Sequence, residues 1–193
     1  MGLDPRGEFL AGVDSLVLDH RRREFAAACL KDAPAYFWTV PASSTGKYHP
    51  SFAAGPGGLV RHTLAAVAIA EEMFAAYPEL AARRRDDILV ALFLHDTVKH
   101  GDGEGYTVDE HPLLPRQRYA KHAAIIGQVT YGRIMGYIAT HMGIWGPEDT
   151  LPASIPGLRI SPAEFVHLSD YLASRKGLET LFGGEQVEAT RPA

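Results

Sequence analysis

One cysteine, Cys29, is all that this chain of 193 residues contains. A lone thiol forms no intramolecular disulfide and builds no multi-cysteine metal site, and it fits a reducing cytoplasm. No apolar stretch reaches the roughly 18 residues that a membrane span needs. The longest candidate, Ile88 to Leu94, suits a buried helix instead. Asp4, Arg6 and Glu8 come before any long apolar run, so no signal peptide is expected. An excess of positive charge is missing too. The net charge is −4 with histidines neutral, which argues against a general nucleic-acid coat and leaves room only for a local basic patch. Neither an internal repeat nor a low-complexity linker is visible, and no segment alternates as a strand would.

What is present is ordinary for a globular protein: 46% hydrophobic and 22% charged residues, enough for a sizeable core. The length predicts one domain over 1–193, with its core at about 41–183 and a frayed tail over 184–193.

Apolar periodicity is helical nearly throughout, so the expected fold is all-α. A first helix is expected from Pro5 to about Leu30, with a break near Asp19, followed by an aromatic segment, Ala35 to Val40. A loop rich in proline and glycine covers Pro41 to Gly58. The next helix is expected from Leu59 to about Tyr77, stopped by Pro78, and another from Arg84 to about Lys99. Gly101 to Arg116 reads as a long loop. Helices are then expected over Gln117 to Tyr131 and Arg133 to Met142, before a second long loop, Gly143 to Ser161. Ser161, Pro162 and Glu164 are a strong start signal for a last helix ending near Gly183.

Nine histidines is a high number for this length, and their placement is informative. His62, His95-Asp96, His122, His141 and Asp170 follow one another with gaps of 33, 26, 19 and 29 residues. Each falls on an otherwise apolar helical stripe. His62 lies in the row Leu59, Ala66, Ile69, Met73; His95 and Asp96 close the buried run Ile88 to Leu94. His122 shares a face with Ile125, Ile126 and Val129, His141 with Ile134 and Ile138, and Asp170 with Val166 and Ala173. A single histidine on such a face is usually an ordinary core residue. Five helices that each bring a metal-capable group inward point to one locus. A buried Asp needs a partner in any case. Imidazole and carboxylate suit Mn²⁺, Fe²⁺, Ni²⁺ or Zn²⁺, and the order can serve two ions that share one carboxylate.

Two segments carry a family resemblance: Gly57-Gly58-Leu59-Val60-Arg61-His62-Thr63-Leu64 and Leu94-His95-Asp96-Thr97-Val98-Lys99. They resemble the HD-domain metal-dependent phosphohydrolases. Lys121-His122-Ala123, Ile138-Ala139-Thr140-His141 and His167-Leu168-Ser169-Asp170-Tyr171-Leu172-Ala173 extend the likeness over about residues 41 to 175. The opening and closing motifs look most like the HD domain of YhaM-type 3′-to-5′ exoribonucleases, whose OB-fold has no counterpart in these residues. The resemblance implies an HD-domain helical bundle with a buried binuclear metal centre. It implies that His62, His95, Asp96 and Asp170 hold one metal, and that Asp96 bridges to a second held by His122 and His141. A homodimer is the oligomer it suggests.

The implied chemistry is hydrolysis of a nucleotide or phosphodiester, including short RNA or DNA 3′ ends, by a metal-activated hydroxide. Lys99, at i+3 from Asp96 and i+4 from His95, is the candidate phosphate contact or proton relay. His100 is a candidate acid or support for Asp96, and His167 a candidate to orient Asp170. Arg61, Trp145 and His49 are candidate substrate contacts; Tyr48 and His111 lie in loops able to cover the site. The runs Arg21-Arg22-Arg23 and Arg83-Arg84-Arg85 read first as solvated helix ends. Two rival readings use the same residues: a mixed-valent di-iron oxygenase, and a non-catalytic module that senses a nucleotide.

Overall fold

Helices and 3₁₀ turns, without a strand among the described residues, build this protein. The structure is a computed structural model that describes residues 5–43, 49–103, 105–148 and 156–177. The helices are α1 (Pro5–Leu16), α2 (His20–Lys31), α3 (Gly58–Phe74), α4 (Pro78–Leu94), α5 (Leu114–Arg118), α6 (Ala123–Ile126), α7 (Gln128–Ala139) and α8 (Pro162–Ala173). Among the described residues no helix is long and apolar enough to cross a membrane.

The central element is α4. Ile88 through Leu94 have no solvent exposure, because α2, α3, α7 and α8 pack around them. Burying each such aliphatic side chain contributes about 1.5–3 kcal/mol. Phe9 of α1 reaches the same core, edge-on to Phe37 and Phe93 at 5.5 and 5.2 Å.

Local chemistry explains most element ends. Asp19 splits the first helical stretch as expected: its carboxylate accepts from the Arg22 N–H at 2.9 Å and caps α2. Ser161 and Glu164 form a complete capping box at the start of α8. Gly57 and Gly58 open α3. Gly57 has φ +71°, and a Cβ on Gly58 would lie 2.1 Å from the Ala53 carbonyl oxygen. Only glycine lets the preceding loop lie against the helix that carries His62.

Several boundaries differ from expectation. Pro78 does not end α3, whose last residue is Phe74. It starts α4 six residues before Arg84, since proline costs nothing at a first helical turn. The helix then stops at Leu94, so His95 to His100 form successive turns. Gly127, at φ +78°, ends the segment expected to run through Tyr131 and starts α7. What was expected as one long helix is α5, a 3₁₀ turn at Ala120–His122 and the single turn of α6. The last helix ends at Ala173, and the expected end near Gly183 lies outside the described residues.

The arginine runs are largely structural. Asp87 is buried to 2% exposure between Arg22 at 2.5 Å and Arg133 at 2.6 Å, which ties α4 to α2 and α7. Arg85 bonds Glu71 at 2.6 Å and the Leu16 carbonyl at 2.7 Å.

Candidate metal centre

Five of the six expected ligands meet at one place: His62 from α3, His95 and Asp96 beyond the end of α4, His141 beyond the end of α7, and Asp170 from α8. The sixth position is filled by a residue expected only in a covering loop. His111 is fully buried, with Nε2 at 3.3 Å from Asp96 Oδ1. His122 is the correction. It lies in the 3₁₀ turn, and its Nε2–H donates to Asp32 Oδ2 at 2.5 Å, away from the cluster. Lys121 joins the same carboxylate at 2.9 Å. These contacts, first from Lys121 and then from His122, hold Asp32 below the usual carboxylate range.

Three of the clustered histidines are oriented by one device. The last turn of a helix leaves carbonyls without an intrahelical partner. His95 Nδ1–H donates to the Leu92 carbonyl at 2.6 Å and His141 Nδ1–H to that of Ile138 at 2.7 Å. His111 repeats the pattern on a turn, to Val108 at 2.8 Å. A carbonyl only accepts, so Nδ1 carries a proton in each ring, and in the neutral imidazole Nε2 keeps its lone pair. All three Nε2 atoms turn toward Asp96. They lie 3.6 Å from its Oδ2 for His95, and 3.3 and 3.7 Å from its Oδ1 for His111 and His141.

With the imidazoles neutral, the result is a group of acceptors facing acceptors. His95 Nε2, His111 Nε2 and Asp96 Oδ1 are buried and have no hydrogen-bond partner among the described residues. Buried polar atoms are seldom left so. Donor atoms of His62, His95 and Asp96 lie within 4.8 Å of one another, as do those of His95, His141 and Asp170 and those of Asp96, His111 and His141. These buried groups can hold a metal ion, and the donor set fits one.

Charge within the cluster is unevenly shared. Burial opposes ionisation of Asp96, yet Lys99 and His95 beside it hold its carboxyl well below the usual range. Asp170 is likewise held down against burial, by the hydrogen bond from His62 and the nearby His95. The His62 Nε2–H donates to Asp170 Oδ1 at 2.8 Å. Burial lowers His95 on its own, but Asp96 and Asp170 outweigh it and lift it to about 8. Burial, with His95 nearby, drives His141 down to about 3.

The cluster forms the floor of a cleft of about 580 Å³. Lys99 lines it, with Nζ at 2.7 Å from Asp96 Oδ2. The turn after α4, rather than a helical face, brings the two together. His49 lines it with its ring 5.1 Å from that of His62, and burial followed by the charge of His62 and Lys99 pushes His49 down to about 4. Trp145 forms part of the wall.

Two other expected site residues point elsewhere. His100 stacks on Tyr36 at 5.1 Å, and its backbone N–H donates to the Tyr36 hydroxyl, so it belongs to the packing behind the turn. Arg61 donates to the carbonyls of Phe52, Ala54 and Pro56 at 2.5, 2.7 and 3.0 Å. It braces the loop before α3 and does not line the cleft. His167 also differs from expectation. Its Nδ1–H donates to the His141 carbonyl at 2.7 Å, which steadies His141 and not Asp170. Tyr48 lies outside the described residues.

A signal for His111 did exist in the sequence. Pro112, Leu113 and Leu114 follow it directly, and an apolar run within a long loop marks where the chain turns inward. Comparison with family models, with curated proteins and with solved structures gives no match to this chain.

Proposed function

We propose that this cleft is a metal-dependent phosphohydrolase centre that cleaves a nucleotide or a short phosphodiester. The observation that carries the reading is the facing set of unpartnered acceptors, His95 Nε2, His111 Nε2 and Asp96 Oδ1, in a buried cluster open to a cleft. His62, His95, Asp96 and Asp170 would hold one divalent ion. Asp96, His111 and His141 would hold a second, with Asp96 shared. Mn²⁺, Fe²⁺, Ni²⁺ and Zn²⁺ suit this set. When bound, such a pair supplies an acidified water and draws charge from a phosphate oxygen.

The chain's own residues do the rest. The carbonyls of Leu92, Val108 and Ile138 lock three imidazoles with their lone pairs inward, so ordering the ligands costs little at the moment of binding. Lys99 brings an ammonium group to the cleft beside Asp96, where it steadies negative charge developing on the phosphoryl oxygens. His49, neutral at physiological pH, offers a donor or acceptor at the edge of the cluster.

Two measurements test the reading. Elemental analysis of the purified protein is expected to find transition metal. Phosphate or nucleotide release from a panel of nucleotides and dinucleotides is expected once Mn²⁺ is added. A protein that takes up no metal, or one that takes it up and cleaves nothing in the panel, ends the proposal.

A further inference from the structure

Trp145 is placed unusually for a tryptophan. It is 62% exposed, yet its ring packs on Tyr171 and His167. Its ring lies parallel to that of Tyr171, 3° between planes, with centroids 5.7 Å apart. His167 completes the wall at 6.1 Å from Trp145 and 6.0 Å from Tyr171. The Arg175 guanidinium sits 4.4 Å from the Tyr171 ring centre.

The backbone is specialised to build this wall. Gly143 has φ +58°, and a Cβ there would lie 2.6 Å from the His167 ring. The missing side chain lets α8 approach, and the 3₁₀ turn Gly143–Trp145 then lays the indole over Tyr171. The same His167 ring donates to the carbonyl of His141. Wall and metal cluster are thus joined through one residue and line one cleft.

We infer that the exposed face of Trp145, backed by Tyr171, is a stacking shelf for a nucleobase, and that the ligand of this cleft is a phosphate ester bearing a base. Offset rings at 5.7 Å are already in contact, so no third ring enters between them and the base takes the outer face of the indole. Lys99 and Arg175 line the same cleft and suit the attached phosphate. Stacking accepts any base but not a bare sugar phosphate. What happens to the phosphate rests on the hydrolase reading; the shelf is a statement about binding.

Calorimetry on protein without added metal tests it, with adenosine 5′-monophosphate, ribose 5-phosphate and inorganic phosphate as probes. The nucleotide is expected to bind about tenfold more tightly than ribose 5-phosphate. Trp145→Ala should bring those two affinities together and leave that for inorganic phosphate unchanged, whereas Trp145→Phe should keep most of the preference. Equal binding of the two sugar phosphates by the parent protein, or a preference that survives Trp145→Ala, overturns the shelf. The hydrolase reading fails separately, by absence of turnover with Mn²⁺ while the base preference persists.

Discussion

Asp96 Oδ1 and His111 Nε2 lie 3.3 Å apart inside the protein without a hydrogen bond between them. Each offers a lone pair to the other, since His111 spends its one N–H on Val108. The pair is stable only if a cation, a proton or a metal, comes between. The site's chemistry follows from that conflict.

Replacing His111 separates this arrangement from the one expected from the sequence. His111→Ala should lower the bound metal by about one ion per chain, since the Asp96, His111 and His141 group loses a donor. His122→Ala should leave metal content unchanged and cost only the half-buried pair with Asp32. Elemental analysis of both variants decides, and the opposite ranking would restore His122 as a ligand.

Lys99→Ala should keep metal and fold but lose turnover by about 100-fold, the usual scale for removing one preorganised donor to developing charge. Asp96→Ala should lose metal and activity together. Unchanged steady-state kinetics in the lysine variant would place Lys99 outside the chemistry.

The metal-free protein should be most stable near pH 6.5. His49 and His141 fall to about 4 and about 3 on folding, from an ordinary 6.5, so below 6.5 the unfolded chain takes up protons that the folded protein refuses. Stability therefore drops as the pH is lowered. His95 is raised to about 8, so between 6.5 and 8 the folded protein keeps a proton that the unfolded chain has lost. Stability is full below 6.5 for this group and is lost as the pH rises through 8. Each proton contributes a slope of about 1.4 kcal/mol per pH unit. Metal reverses the alkaline limb, because ligands bind once deprotonated. Denaturant titrations with chelator, then with Mn²⁺, read both limbs; a chelated protein that gains stability from pH 6.5 to 8 contradicts the His95 assignment.

Gly143→Ala should destabilise the protein by about 1–2 kcal/mol or more, through its left-handed backbone and the collision with His167. It should also weaken the base preference, because the indole moves with the turn. Gly132→Ala, in α7 with open space around it, is the control and should be neutral or slightly stabilising. Thermal melts of the two variants compare them directly.

How much of this was legible in the chain varies by element. The start of α8 was, because Ser161, Pro162 and Glu164 act on their own backbone. The break at Asp19 was, for the same reason. His62, His95, Asp96, His141 and Asp170 were, because each interrupts an apolar row that must turn inward. The start of α4 was missed because Pro78 can end one helix or begin another, and only its neighbours choose. His122 was misplaced because its helix breaks at Gly127 and never presents the expected face.

Sequence alone therefore determined that the fold is helical and that five polar groups face its interior, since local propensity and periodicity act over a few residues. Tertiary structure decided which histidine completes the cluster, that Arg61 and His100 serve the scaffold, and that Trp145 is held beside Tyr171. Those outcomes depend on distances between residues far apart in the chain. No local periodicity encodes them; they are set when α3, α7 and α8 close around α4.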